Sequence, residues 1–377
     1  MKAVLIDDES LALNYLEHQL LTIDGVEIIG KFTDPIRGKE AIEKNDVDLV
    51  FLDIHIPEIN GIELAEKLLE RQPNLHIVFV TAYDNFAIQA FELNALDYIL
   101  KPVLRERILK TINRIKHRME VKFVTSVQER TTLEMNLLQQ VSIFQGQQPI
   151  PLQWRTTKVQ QLFLYLVHYR GKIVSKSELI ELLWREYEPK KAYAQLYTSI
   201  YHVRKTLESI GNHFLIRNTT EGYVMTLENV TLDVDRFDDF IQSGLNITHK
   251  SIEVFEQEMS LFKGDYLEGY DYLWAEGERQ RLQLLWVGTS LKMLSWYHAN
   301  NDLEKAIILG LDICNRYPLV EEAYFLLMKL YADITNNHAS VHYQYRRLKT
   351  VLMEELNVEP SPAIIEWYMN WKNKNKE

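Results

Sequence analysis

Cysteine is almost missing: the 377 residues contain one, Cys314, so neither an internal disulfide nor a cysteine-built zinc site can form. Long apolar runs are missing too, and no stretch approaches the roughly 18 residues that a membrane span needs. The N-terminus turns acidic at Asp7-Asp8 after only a short apolar run, too soon for a secretory leader. The expected compartment is a reducing cytoplasm, with no membrane partner. Positive charge is in short supply, since 42 Lys and Arg against 53 Asp and Glu leave a formal net charge of −11. Taken over the whole chain, that balance argues against nucleic acid as a partner. Disorder is excluded for most of the length, because 46% hydrophobic and 25% charged residues is an ordinary composition for folded protein.

What is present is unevenly spread. The length suggests two to three domains. Residues 1–118 carry 14 basic and 20 acidic groups, residues 119–230 carry 13 and 10, and residues 231–377 carry 15 and 23. Only the middle segment is positive, so a local basic patch survives within an acidic whole.

In residues 1–118, short apolar runs at 3–6, 26–29, 49–52, 77–80 and 98–100 alternate with amphipathic stretches. Continuous apolar strands separated by helices indicate a parallel sheet covered on both faces, an α/β doubly wound fold. Polar residues sit where such a sheet keeps its function, at the carboxyl ends of its strands. Asp7 and Asp8 follow the first run, Asp53 ends the third, Thr81 ends the fourth, and Lys101-Pro102 follows the fifth. Three carboxylates converging there repel one another unless a cation joins them, and an all-oxygen donor set suits Mg2+. An aspartate neutralised in this way can act as a nucleophile toward a phosphoryl group. Lys101 would pair with the incoming oxygens and the Thr81 hydroxyl would bond them afterwards.

Asp7-Asp8, the stretch Phe51-Leu52-Asp53-Ile54-His55-Ile56-Pro57 with Gly61, Thr81-Ala82, and Asp97-Tyr98-Ile99-Leu100-Lys101-Pro102 resemble the receiver domain of two-component response regulators. The resemblance implies that Asp53 is the phosphoacceptor. It also implies that Asp8 and Asp53, with the His55 backbone carbonyl, bind Mg2+, and that Asp7 positions the ion largely through water. Thr81 and Tyr98 are then the switch pair, repacking the face around 84–118, and Lys101-Pro102 contains a cis bond. The helix after Pro102 is basic (Arg105, Arg107, Lys110, Arg114, Lys116, Arg118) and is expected to be a solvated face.

Residues 119–136 are polar and of mixed pattern, as in a linker leading into a strand. Short strands at 141–144 and 149–152 with a turn between them precede three helices, at 157–169, 175–184 and about 192–209. Ser175 with Glu178 three residues on has the form of a capping box. Residues 217–227 read as a hairpin. On the third helix Leu196, Ile200, Val203 and Leu207 share one face, while Ala194, Thr198, Tyr201, His202 and Lys205 lie opposite and Arg204 flanks them. An apolar face inward with a small, polar and basic face outward suits a helix that enters a DNA groove. Lys205, Arg204 and Arg217 would contact phosphates, and Thr198, Tyr201 and His202 would lie nearest base edges. The order strand pair, three helices, hairpin, with the helix around 199–207, resembles the α+β winged-helix output domain of response regulators, spanning 137–230. Many relatives carry an arginine where this chain has Tyr201 or His202.

From 231 onward the pattern is nearly all helical. Repetition appears at an offset of 36: Leu291 with Leu327, Leu294 with Leu330, and Asn300-Asn301 with Asn336-Asn337. Such spacing indicates an all-α tetratricopeptide-like helical repeat. The blocks at 261–267 with Trp274, at 315–324 and at 352–362 resemble the bacterial transcriptional activation domain found in regulators of the antibiotic-regulatory-protein type. The resemblances imply a non-enzymatic transcription regulator controlled by phosphorylation. Its implied partners are a sensor histidine kinase, double-stranded DNA, RNA polymerase and, when phosphorylated, a second copy of the chain. The alternative output is protein-protein interaction through the helical repeat without specific DNA binding.

Overall fold

The computed structural model describes residues 1–72, 75–82, 97–125, 132–335 and 338–375. Part of the expected switch face (84–96), part of the linker (126–131) and Asn336-Asn337 lie outside the described residues. By internal contact the chain forms two units, Met1–Thr131 with Pro151–Asn229, and Thr132–Ile150 with Val230–Glu377. The strand segment before residue 150 therefore groups with the C-terminal residues.

The first unit opens with β1 (Lys2–Ile6), α1 (Ser10–Leu20), β2 (Glu27–Phe32), α2 (Pro35–Lys44), β3 (Leu49–Leu52), α3 (Gly61–Arg71), β4 (His76–Thr81), β5 (Asp97–Leu100) and α4 (Arg105–Thr125). The strands make one parallel sheet in the order β2-β1-β3-β4-β5. Each strand sends alternate residues to opposite faces. Val4, Ile6, Val50, Leu52 and Phe79 join Ile42 of α2 and Leu64 and Leu68 of α3 in one core. Ala3, Leu5, Leu49, Phe51 and Val78 join Leu13 and Leu16 of α1 and Ile108 and Ile112 of α4 in the other. This is why the strands read as unbroken apolar runs. The chain leaves β1 toward β2 on one side and β3 on the other, which opens a crevice beyond their carboxyl ends.

Helix α4 extends to Thr125, well into the expected linker, and β6 (Leu133–Asn136) fills its end. No glycine or proline interrupts residues 105–135, so nothing in the local chain stops the helix after its apolar stripe ends.

The rest of the first unit comprises α5 (Thr157–His168), β9 (Ile173–Ser175), α6 (Lys176–Trp184), α7 (Pro189–Leu207), β10 (Phe214–Asn218) and β11 (Gly222–Leu227). Its antiparallel sheet runs β10-β11-β9. The short β9 escapes a periodicity reading and exists because Gly222 permits it: a Cβ there would stand 1.9 Å from the Val174 carbonyl oxygen. Helix α7 starts at Pro189, earlier than expected, with the proline in the first turn where its missing N–H costs nothing. The Ser175 hydroxyl caps α6 through the Glu178 N–H. The reciprocal half of the capping box is not made, because the Glu178 carboxylate accepts from the Tyr165 hydroxyl at 2.5 Å instead.

In the second unit the strands are β6, β7 (Ser142–Gln145), β8 (Gln148–Pro149) and β12 (Val230–Leu232), ordered β12-β6-β7-β8. The second strand of the expected pair thus shortens to 148–149. Helices α8 (Asp233–Gln242), α9 (Ile252–Met259), α10 (Glu276–Ala299), α11 (Leu303–Arg316), α12 (Glu321–Thr335), α13 (His338–Leu356) and α14 (Pro362–Lys374) follow. Of the offset-36 pairs, Leu294 and Leu330 are both fully buried, on α10 and α12, whereas in the other described pair Leu327 is fully buried and Leu291 half-buried. Cys314 is buried on α11, and that burial pushes its thiol up to about 12, which leaves it unreactive.

One carboxylate fastens the strands of this unit to its helices. Asp233, buried at the start of α8, accepts the N–H groups of Leu137 at 2.8 Å, Leu138 at 2.9 Å and Val234 at 2.7 Å. Asp233→Ala orphans those donors, and we expect a loss on the order of 3 kcal/mol in urea unfolding. A loss under about 1 kcal/mol would mean that water replaces the carboxylate there.

Candidate functional site

The sheet brings the acidic residues to one place. Asp7 follows β1, Asp53 follows β3, and one carboxylate oxygen from each of Asp7, Asp8 and Asp53 lies within 4.8 Å of the others. Asp7 and Asp53 are buried and Asp8 is exposed. Lys101, just beyond β5, reaches between the buried pair, its Nζ 2.8 Å from Asp7 Oδ2 and 2.8 Å from Asp53 Oδ2. Asp53 Oδ1 accepts the N–H groups of Ile54 at 2.6 Å and His55 at 3.3 Å. That fixes the carboxylate from its own loop.

The electrostatics are unbalanced. One ammonium stands among three carboxylates. Burial raises the Asp7 pKa, and the hydrogen bond from Lys101 only partly offsets the rise. For Lys101 burial opposes the charge, but its bonds to Asp53 and Asp7 outweigh that and hold the pKa above the ordinary lysine range. Hard oxygen donors with an excess of negative charge fit a hard divalent cation. The His55 side chain is exposed.

Gly61 fixes the floor of the crevice. Its N–H donates to the Ile54 carbonyl at 2.8 Å, and a Cβ would come within 2.0 Å of the Asp53 carbonyl oxygen. Asn60 caps α3 through the Ile62 N–H, which starts the helix directly beneath the loop. Thr81, at the end of β4, is fully buried. Tyr98 on β5 is half-buried against the core that contains Phe79. The Lys101-Pro102 peptide bond is cis.

The second group of residues lies on α7 and its hairpin. Thr198, Tyr201 and Lys205 are exposed along one side of the helix, and Arg217 is exposed on β10. His202 is half-buried beside Arg155. Arg204 corrects the sequence reading: its Nη2 donates inward to the Ile216 carbonyl at 2.9 Å and its Nη1 is buried without a partner. Burial lowers its pKa to about 10, against a smaller opposing effect of Tyr223. A helical wheel places residue 204 on a flank, but only the docking of the hairpin decides that this flank is covered.

Comparison with known proteins matches three family descriptions along the chain. They are response regulator receiver domain over residues 3–132, transcriptional regulatory protein, C terminal, over 149–225, and bacterial transcriptional activator domain over 232–370. The chain therefore contains a receiver segment, a C-terminal segment of transcriptional regulatory proteins and a bacterial transcriptional activator segment, in that order. The sensory transduction protein LytR of Staphylococcus haemolyticus is 42% identical over 139 residues, 36% of this chain and 54% of that protein. The chain therefore spans about half the length of the curated relatives it matches. The response regulatory domain of protein mrkE from Klebsiella pneumoniae is 38% identical, over 32% of this chain and 98% of that domain, with a TM-score of 0.31. Mycobacterium tuberculosis EmbR, solved with a low affinity phosphopeptide, matches over 66% of each chain at 21% identity and a TM-score of 0.50, a likeness of fold.

Several residues of the chain carry structure that the sequence reading left without a role. Asp97, buried at the start of β5, accepts from Thr111 Oγ1 at 2.6 Å and from Arg107 Nη2 at 2.5 Å. The same Arg107 nitrogen reaches the Tyr98 carbonyl at 3.2 Å, so the strand carrying Tyr98 is tied to α4. The basic face of α4 is thus not wholly solvated, since Arg107 and Arg114 both turn toward Asp97. Lys190 and Lys191, exposed in the first turn of α7, extend its basic side; Pro189 was the signal that could have found them.

The charge imbalance fixes a pH response in the metal-free protein. Asp7 holds its proton more tightly folded than unfolded, so this group favours folding at low pH and opposes it once pH rises above its folded pKa. Lys101→Met removes the compensating ammonium and should cost about 3 kcal/mol at pH 7 in EDTA. The deficit should be smaller at pH 5 than at pH 7, because lower pH favours the uncharged form of the raised Asp7 carboxyl. An equal deficit at both pH values in urea unfolding would show that the lysine acts through packing alone.

Proposed function

We propose that this chain is a phosphorylation-controlled, DNA-binding transcription regulator of the cytoplasm. The observation that carries the reading is Asp53, fixed by two backbone N–H groups on one oxygen and by Lys101 on the other, beside Asp7 and Asp8. Asp53 is the phosphoacceptor, and the donor is the phosphohistidine of a sensor kinase. An Asp53 oxygen attacks phosphorus, the P–N bond breaks, and its electron pair returns to the departing imidazole. Asp8, Asp53 and the His55 carbonyl, with Asp7 behind them, would hold Mg2+, which would supply charge neutralisation to a phosphoryl group in transfer. Lys101 is poised to move its ammonium onto a phosphoryl oxygen, and Thr81 to donate its hydroxyl to another.

Replacing a carboxylate by an acyl phosphate adds roughly one negative charge and three acceptors. Thr81 then turns toward the new oxygens and Tyr98 follows on β5. The Asp97 links from β5 to α4 favour transmission of that shift along the helix. The shifted face is where a second copy of the chain would dock. The exposed strip Thr198, Tyr201 and Lys205, with His202 at its edge and Arg217 on the hairpin, is the DNA-facing surface for double-stranded DNA. The C-terminal helices are assigned to contact with RNA polymerase.

Asp53→Asn should abolish Mg2+-dependent labelling by acetyl phosphate while circular dichroism stays unchanged. Persistent acyl phosphate in that variant would put the acceptor elsewhere. Lys205→Ala should weaken binding to all duplexes and reduce the slope of log affinity against log salt by about 1. An unchanged affinity and slope would move the output from α7 to the C-terminal helices.

A further inference from the structure

Arg155 precedes α5 and is exposed, and its Nη1 lies 2.8 Å from Nε2 of His202 on α7. A guanidinium is a donor only and keeps its protons throughout the range in which proteins fold. At this contact Nε2 must therefore be the acceptor. A neutral imidazole has one donor and one acceptor nitrogen, so its proton resides on Nδ1. The ring does stay neutral: burial first, then the charges of Arg155 and Lys205, hold its pKa below the ordinary histidine value. Nδ1 has no hydrogen-bond partner among the described residues.

The neighbourhood keeps this arrangement in place. One turn further along α7 the Thr206 hydroxyl donates to the Gln153 carbonyl at 3.4 Å, so the segment carrying Arg155 is laid against the helix. The Tyr201 ring meets the His202 ring edge to face at 5.3 Å, which limits how the imidazole can turn. Ring flipping would put Cε1–H where Nε2 now accepts from the guanidinium, and so lose the hydrogen bond. The polarity of the side chain is thus set by a residue outside the helix.

We propose that Arg155 is a positioning residue that fixes His202 as an Nδ1–H donor, reading the N7 acceptor of a purine in the major groove. The inference rests on the assignment of α7 as the groove helix and deepens it. Purine N7 presents an acceptor at that edge, whereas cytosine N4 and adenine N6 present donors. A histidine free to exchange tautomers would tolerate either. Held by Arg155, it favours a purine at one position and disfavours a cytosine.

Two measurements on the full-length protein test the two halves. Imidazole 15N–1H correlation spectra should show the His202 proton on Nδ1. Arg155→Met should abolish that preference and Arg155→Lys, which keeps a cationic donor, should retain it. A proton on Nε2 in the unaltered chain overturns the proposal. The second measurement uses a duplex enriched from a random pool, with the contacted purine replaced by its 7-deaza analogue. Affinity should fall about three- to tenfold, the worth of one hydrogen bond, and His202→Ala should be insensitive to the replacement. An equal penalty in His202→Ala, or an Arg155→Met variant that loses affinity evenly on all sequences, would reduce Arg155 to a phosphate contact and sink the idea. If no duplex is enriched, the groove assignment itself fails and takes this reading with it, and the spectra show whether the tautomer premise stood.

Discussion

The ammonium of Lys101, lodged between Asp7 and Asp53, is the contact on which the acidic crevice depends. Two buried carboxylates without a cation would push the ends of β1 and β3 apart, because buried charge is tolerated only when it is paired. The lysine comes from the far side of the sheet, from the residue after β5, so the pairing also ties that strand end to the crevice. Asp97 at the other end of β5 is anchored by Thr111 and Arg107. A four-residue strand is thus clamped at both ends by charge, with Tyr98 between them. Any group that draws Lys101 away from Asp53 acts directly on this strand.

Charge is used differently on α7. The half-buried Arg204 turns its guanidinium to a hairpin carbonyl, which weakens one cation's contribution to a surface whose segment carries a net charge of only +3. The loss is offset at the start of the helix by Lys190 and Lys191. Arg155, outside the helix, touches His202 and leaves the ring neutral. The helix face is therefore a mixture of exposed cations and a few neutral polar groups, the combination that the proposed groove-facing role calls for.

The second unit depends on Asp233 in much the same way as the crevice depends on Lys101. Its carboxylate sits at the amino end of α8, where the helix dipole favours negative charge, and collects backbone donors from the chain after β6. Burial still raises its pKa, because desolvation outweighs those donors. The strands before residue 150 consequently share a sheet with β12 and travel with the helices that follow it.

Much of this was legible in the chain itself. Unbroken apolar runs such as 49–52 required a sheet covered on both faces, and the period of Leu196, Ile200 and Val203 required a helix with one buried side. The order of Asp7, Asp53, Thr81 and Lys101 at run ends placed them at one edge of the sheet before any coordinate was known. These features are local or follow from strand order, and sequence periodicity encodes both. Tertiary structure alone decided the rest. Arg204 turns inward, β9 exists through the close approach at Gly222, Glu178 serves Tyr165 and not its own cap, and Arg155 meets His202. Each depends on which surface docks against a residue distant in the chain, and the energy of that contact is absent from any window of local sequence.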